Sequence, residues 1–340
     1  MGGIQKASSF LANSLDEFGF EVIMMSLYKS ENFFFKLNKE IKYIEPNFER
    51  KSTTRFVYVF KMMNFVRKSI KKIKPDIIVA YSEWSNSFVV MATMGLKIPV
   101  FLSDRFSPDW NLGTVQTFMK RVMYKKATGI IAQTSYAKEV IFNKIKNKNI
   151  EVIPNPVSAI DAIDCPKKNQ IVTVGRMAKE KGHKYLIDAF SKINNQEWQL
   201  LLVGDGPERK SLEEQTINLG LQNRVIFAGT QKELSKYLSE SKIFVLPSLF
   251  EGFPNALIEA MSVPLPCISF NCTAGPSDII NDGINGLLVE TANSDLLLEA
   301  IETLINNENL RNEIAKNAFK IREDLCIDVI IKKYVDFILK

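Results

Sequence analysis

Along this chain, short apolar runs alternate with longer stretches whose apolar positions recur every three or four residues. The first kind predicts buried strands and the second predicts helices packed on them. In the first half, the pattern predicts helices over 5–18, 54–72, 84–94, 115–125 and 135–142. The strands between them fall at 21–27, 77–81, 98–102, 129–132 and 150–153. A turn-rich stretch from Asn155-Pro156-Val157 to Asn169 then interrupts the periodicity. Beyond it the alternation restarts, with strands at 171–174, 198–203, 225–227, 243–246, 267–269 and 286–289. Helices are predicted at 184–193, 207–219, 232–239, 256–262, 295–306, 310–322 and 327–339. Such alternation predicts an α/β protein with mainly parallel sheets, arranged as two doubly wound domains facing a cleft. The domains are 1–155 and 156–326, and residues 327–340 form a helix, apolar on one face, that packs back on the first domain.

Composition narrows the class. With 340 residues, 46% apolar and 24% charged, the chain is an ordinary globular one with material for two cores. No run approaches 18 apolar residues, so no spanning helix is expected, and Met1 leads into Gly2-Gly3-Ile4-Gln5 without a signal peptide. Cys165, Cys267, Cys272 and Cys326 contain no CxxC pair and suit a reduced compartment. Cys267, Cys272 and the lone His183 make a poor zinc set, so neither a metal nor a cofactor is expected.

Charge is unevenly divided. Residues 1–155 hold 24 Lys and Arg against 13 Asp and Glu, whereas the rest of the chain holds 20 against 25. The basic residues cluster at Arg67, Lys68, Lys71, Lys72 and Lys74, at Lys120, Arg121, Lys125 and Lys126, and at Lys138, Lys144, Lys146 and Lys148. Basic faces attract nucleic acid or anionic membrane, or merely keep a protein soluble. No nucleic-acid motif and no Arg/aromatic stripe appears, so nucleic acid is not an expected partner. Phe33-Phe34-Phe35 beside Lys36 and Lys39 suits either a bilayer interface or a core.

The chemistry gathers in the second half, at the carboxyl ends of predicted strands, where ligands of doubly wound sheets bind. The first strand is followed by Gly175-Arg176 and Lys181, a close-approach glycine with two cations able to hold phosphate oxygens. The second leads into Gly204-Asp205-Gly206-Pro207. The stretch Glu251-Gly252-Phe253-Pro254-Asn255-Ala256-Leu257-Ile258-Glu259 sets two carboxylates eight residues apart around a turn and a helix start. Pro254 suits the first turn of that helix, whose free N–H groups predict an anion site. Thr273-Ala274-Gly275-Pro276-Ser277 follows the next strand. Each alone is commonly a structural turn. Four in order, cations first and acids last, describe a diphosphate beside a ribose and a sugar.

The segments VGRMAKEKGH, LLVGDGPER, VIFAGT, IFVLPSLFEGFPNALIEAM and GPSDIINDGINGLLV resemble the retaining GT-B glycosyltransferases of sequence family four. The first half resembles them more loosely, through GGIQKASSFLANSL, a strand followed by Ser103-Asp104-Arg105, and VIPNPV. The family's bacterial enzymes assemble surface polysaccharide repeats on a polyprenyl lipid. The resemblance implies a metal-independent transfer of a hexosyl or N-acetylhexosaminyl group, with retention, from a nucleotide sugar to a lipid-linked or saccharide acceptor. UDP is the first nucleotide to expect and GDP-mannose stays open. A nucleotide-sugar epimerase and a truncated non-catalytic paralogue are the alternatives. The expected location is cytoplasmic, peripheral on the inner membrane face. Arg176 and Lys181 match the diphosphate-binding pair, Glu251 the acid at the reaction centre and Glu259 the acid on the ribose. Gly2, Gly3, Gly175, Gly204, Gly206, Phe253, Pro254, Asn255 and Ala256 match backbone that approaches the donor. The base is expected near 229–232 and 204–207.

Two departures stand out. The family's opening strand precedes its Gly-Gly loop, whereas this chain begins inside that loop, so a first strand is expected to be absent from the first domain. Where many relatives carry a histidine, this chain has Asp104 and Arg105, either sugar or acceptor contacts or a loop salt bridge.

Overall fold

A computed structural model describes residues 3–29, 36–49, 54–105, 113–157 and 159–340. The chain forms two compact units, Met1–Asn155 with Ile327–Lys340, and Pro156–Cys326. The candidate membrane segment Phe33-Phe34-Phe35 lies outside the described residues, as does Gly2.

The first unit opens with α1 (Gly3–Glu17), β1 (Ile23–Met25) and β2 (Lys42–Ile44). It continues through α2 (Arg55–Ile73), β3 (Ile78–Tyr81), α3 (Glu83–Thr93), β4 (Val100–Ser103) and α4 (Thr114–Met123). A short 3-10 turn, Tyr124–Lys126, leads to β5 (Gly129–Ala132), α5 (Ser135–Ile145) and β6 (Ile150–Val152). Strands β3, β4, β5 and β6 form a parallel sheet in that order, while β1 and β2 pair in parallel as a separate two-stranded sheet. Helix α2 joins the two sheets. Its Val66 and Ile70 pack with Met25 and Leu27 beside β1, with Ile78 of β3, and with Ala92 of α3. The alternation of a two-sided sheet holds on β4 and β5: Leu102, Ile130 and Ala132 meet Val90, Ala137 and Ile141 of the α3–α5 layer.

The second unit holds β7 (Gln170–Val174), α6 (His183–Ser191), β8 (Gln199–Val203), α7 (Arg209–Asn218), β9 (Val225–Gly229) and α8 (Ser235–Ser239). Then follow β10 (Ile243–Leu246), α9 (Asn255–Met261), β11 (Cys267–Phe270), α10 (Pro276–Ile279) and β12 (Leu287–Val289). Helices α11 (Ser294–Asn306), α12 (Glu308–Ala318) and α13 (Ile321–Asp324) close the unit. All six strands form one parallel sheet in the order β12-β11-β10-β7-β8-β9. Its central strands are buried on both faces, which is why they read as unbroken apolar runs. Asn293 caps α11 by accepting from the Asp295 and Leu296 amides, and Asn307 caps α12 from the Leu310 amide.

The last helix, α14 (Ile327–Ile338), belongs to the first unit. It packs on α1 and on the sheet face opposite α3–α5. Phe337 meets the Phe101 ring edge-on at 5.4 Å, and a Cβ at Gly129 would lie 2.8 Å from both rings.

Several elements differ from expectation. Strand β2 has no strong sequence signal, because its three residues are partly exposed. The helix expected over 310–322 divides into α12 and α13 at Phe319-Lys320, and α7 starts at Arg209, after a turn in which the Arg209 amide donates to Gly206 O. Among the described residues, β1 and β2 bond to no strand of the four-stranded sheet.

Candidate active site

The loops at the carboxyl ends of the second unit's strands are stitched backbone to backbone. The Gly175 amide donates to Val203 O, the Met177 amide to Asp205 O and the Gly204 amide to Gly229 O, at 3.0, 3.0 and 2.9 Å. Gly204 has φ 143°, and a Cβ there would lie 1.9 Å from Gly175 O. Only glycine fits that position, on both counts. The loop after β11 packs on the loop after β10 in the same manner, since a Cβ at Gly275 would lie 2.4 Å from Pro254 Cδ. Gly175, Gly204, Gly206, Pro254 and Gly275 are therefore parts of one rigid floor.

Charged groups stand on this floor. After β7, a 3-10 turn over Lys179–Lys181 carries Lys181 towards the loop that follows β10, where the Leu249 amide donates to Glu180 O at 2.8 Å. Lys181 Nζ donates to Glu251 Oε1 at 2.7 Å. Glu251 is 8% exposed, so this pair is shielded and stronger than a surface ion pair. Arg176 is exposed and pairs with no carboxylate among the described residues. Cys272, on the next loop, is buried. Burial, then the nearby Glu251 carboxylate, pushes its thiol up to about 12.

Helix α9 starts one residue earlier than expected. Pro254 is its cap residue, with φ −82° and ψ 72°, and the helix is only Asn255–Met261. Its first amides are largely engaged: Asn255 donates to Phe253 O, and Leu257 and Ile258 donate to Pro254 O. The predicted anion site of free helical N–H groups is thus narrower than expected, and Arg176 and Lys181 carry more of the positive charge. Phe253 and Pro254 are buried, Asn255 is exposed, and Ala256 and Glu259 are half-buried.

The segments expected around a base do converge, through the Gly204–Gly229 hydrogen bond. Arg209 is a residue that sequence reasoning passed over. It forms ion pairs with Asp205 at 3.1 Å and Glu213 at 2.8 Å, and stacks over Phe227. Its signal was the i,i+4 spacing on both sides, Asp205-Arg209-Glu213. His183 starts α6 and is 4% exposed. Burial, then the Lys181 charge, lowers it to about 4, so the imidazole is neutral at pH 7.

In the first unit, Asp104 and Arg105 lie at the carboxyl end of β4, but their charges face inward. Asp104 is 4% exposed. Its Oδ1 accepts from Tyr124 Oη at 2.6 Å and Asn86 Nδ2 at 3.0 Å, and its Oδ2 accepts from Lys120 Nζ at 2.5 Å. Burial and the Asp104 charge hold the Tyr124 phenol well above its ordinary value, so it stays a donor. Arg105 donates to Asn155 Oδ1 at 2.5 Å and to Tyr334 Oη, lies over the Tyr81 ring, and its amide donates to Glu83 Oε1 at 2.5 Å. The loop-salt-bridge alternative describes Asp104 best. Gly3 begins α1. Among the described residues no group of three His, Cys, Asp or Glu is placed to hold a metal ion.

An exposed arginine and a lysine beside a buried carboxylate, on a floor of glycine turns, can hold a diphosphate next to an acid. Comparisons with known proteins identify the family. Residues 163–321 match the model of glycosyl transferases group 1, and residues 1–159 match that of glycosyltransferase family 4. A lipopolysaccharide 1,6-galactosyltransferase of Salmonella typhimurium is 30% identical over 79% of this chain and 76% of its own length. A Campylobacter jejuni enzyme is 26% identical over 99% of this chain and 95% of its own length. It is named GalNAc-alpha-(1->4)-GalNAc-alpha-(1->3)-diNAcBac-PP-undecaprenol alpha-1,4-N-acetyl-D-galactosaminyltransferase. Among solved structures, the apo form of the lipopolysaccharide outer core galactosyltransferase WaaB superposes with a TM-score of 0.82, at 26% identity, covering 100% of this chain and 96% of that one. The fold is GT-B, with two Rossmann-like domains, and the chain belongs to the family 4 glycosyltransferases.

Proposed function

We propose that this glycosyltransferase moves a hexosyl or N-acetylhexosaminyl group from a nucleotide sugar, UDP being the first candidate, to a lipid-linked or saccharide acceptor in bacterial surface polysaccharide assembly. The acceptor class is supported by the undecaprenol-linked substrate in the name of the Campylobacter relative. The observation that carries the reading is the Lys181–Glu251 pair, with Arg176 exposed on the loop that carries Lys181. As the anomeric C–O bond breaks, negative charge grows on the leaving diphosphate. Arg176 and Lys181 oppose it from fixed positions, which costs little reorganisation at the moment of reaction. A phosphate that takes Lys181 releases Glu251, whose carboxylate then accepts from a hydroxyl of the donor sugar. Glu259, on the exposed side of α9, accepts from the ribose hydroxyls. Transfer proceeds with retention by front-face attack, a leaving phosphate oxygen helping to take the acceptor proton. The work takes place on the cytoplasmic face of the membrane.

Thermal unfolding of the full chain with UDP, GDP, ADP and their sugar conjugates tests the donor reading. A ligand at 100 times its Kd adds about 2.7 kcal/mol. A shift with one nucleotide fixes the donor class, and no shift with any of them overturns the reading.

A further inference from the structure

The two helix layers of the first unit differ sharply in charge. The segments α2 to α5, with the turn between α4 and β5, contain twelve Lys or Arg and two acids. One of those acids, Glu83, is buried. The opposite layer, α1 and α14, contains three Lys and four acids. Helices α3–α5 share one side of the sheet, because each successive crossover from β3 to β6 runs the same way and crossovers are right-handed, and α2 packs on α3. Packing of α2 on α3, α3 on α4 and α4 on α5 agrees.

Part of this positive charge serves the fold. Arg67 donates to Ala92 O and Met94 O at the end of α3, and Lys120 holds Asp104. Lys61, Lys68, Lys71, Lys125, Lys126 and Lys138 are exposed, and none forms an ion pair with another described residue. Large apolar side chains stand exposed among them. Phe60 on α2 is 73% exposed, and Val115 and Phe118 on α4 are 69% and 68% exposed. Helix α4 has no buried residue at all. Its Val115, Phe118 and Val122 fall at i, i+3 and i+7, one stripe along the helix, with Arg121 and Lys125 beside it.

A helix that keeps an apolar stripe in water, flanked by unpaired lysines, suits an interface that is apolar within and anionic at its surface. Nucleic acid accounts for the lysines but leaves Phe60, Val115 and Phe118 without a use. We propose that the outer face of α2 and α4 in the first unit docks on an anionic lipid bilayer, with Phe60, Val115 and Phe118 entering the headgroup region and the lysines meeting lipid phosphates. The α14 side faces away from the bilayer. This deepens the lipid-linked-acceptor reading and rests on it for its purpose, yet the two fail separately: nucleotide thermal shifts are read without lipid, and lipid binding is read without nucleotide.

The test is flotation of the full chain with vesicles of phosphatidylcholine alone and of phosphatidylcholine with about one-third phosphatidylglycerol, at low salt. Binding is expected to the anionic vesicles only. Combined Lys68→Glu, Lys71→Glu, Lys125→Glu and Lys126→Glu should weaken it at least about a hundredfold, since each residue contributes about fivefold. Phe60→Ser with Phe118→Ser, which disturbs no core, should weaken it about tenfold. Lys332→Glu with Lys333→Glu, exposed on α14, should leave it within about twofold. Failure to float with anionic vesicles overturns the proposal. So does an equal loss from the α14 reversal, which would mean net charge rather than a face. Tight binding to duplex DNA, with no effect of the serine pair on vesicle binding, overturns it in favour of nucleic acid.

Discussion

Both units place an acid and cations at the carboxyl ends of parallel strands, and they use them differently. In the first unit, Asp104 is saturated by Lys120, Tyr124 and Asn86, and both terminal nitrogens of Arg105 are taken by Asn155 and Tyr334, over the Tyr81 ring. In the second, Glu251 has Lys181, and Arg176 stands exposed on the loop that carries Lys181. The platforms differ too: six strands in one sheet against four and a separate pair. A charge at a strand end is therefore no sign of a ligand until its partners are known. Where the sheet is whole and the loops are stitched through glycines, charge remains available. Where the sheet is divided, buried charge helps hold the loops together.

The comparison breaks most severely at Gly204. Gly204→Val puts a branched side chain where even a Cβ lies 1.9 Å from Gly175 O. It should cost about 4 kcal/mol or more and melt the second unit while amide protection persists in β4 and β5. Hydrogen exchange reads this, and native-like protection of β7 and β8 would refute the stitched floor. Next, Glu251→Ala should lower turnover about 10²- to 10³-fold with little change in nucleotide Kd. Asp104→Ala should do the reverse, costing the first unit about 3 kcal/mol while leaving nucleotide Kd unchanged. If Asp104→Ala proves stable and weakens catalysis alone, the contrast drawn above is wrong.

Acid should then weaken the second unit. His183, the only histidine, lies in the second unit, with its pKa lowered from 6.5 to about 4. Between those values the unfolded chain binds the proton and the folded chain does not. Stability is full above pH 6.5 and falls as pH drops towards 4, by about 3 kcal/mol for the second unit only. His183→Gln should flatten that slope in a pH series of thermal melts. A slope that survives the substitution assigns the loss to other groups. The smallest effect is expected at Met25→Ala, half-buried on the two-stranded sheet, at about 1 kcal/mol. A loss of several kcal/mol there would show that β1 and β2 are as firmly held as the central strands of the second unit.

The second unit was legible in sequence because its central strands are apolar on both faces and bounded by glycine and proline, as at Ile243–Leu246 before Pro247. The glycine floor was legible for the same reason, since Gly204 and Gly206 interrupt no element. Strand β2 was not, because three half-exposed residues carry no period. The Lys181–Glu251 contact spans seventy residues of sequence, and its separation encodes no distance. Sequence left Asp104 open between a sugar contact and a loop salt bridge because a charged residue after a strand reads as exposed. Nothing local announces that Lys120 and Tyr124, one helix later, close over it.

The return of α14 to the first unit has a consequence for the order of synthesis. A ribosome releases the chain from its N-terminus at about 5–20 residues per second. The second unit, Pro156–Cys326, is therefore complete before Ile327 emerges. Until then Phe101 and the Gly129 surface lack Phe337, and Arg105 lacks Tyr334. The unit translated first finishes folding last, and its exposed β4–β5 face stays open to chaperones or to aggregation for the whole time the intervening domain is being made.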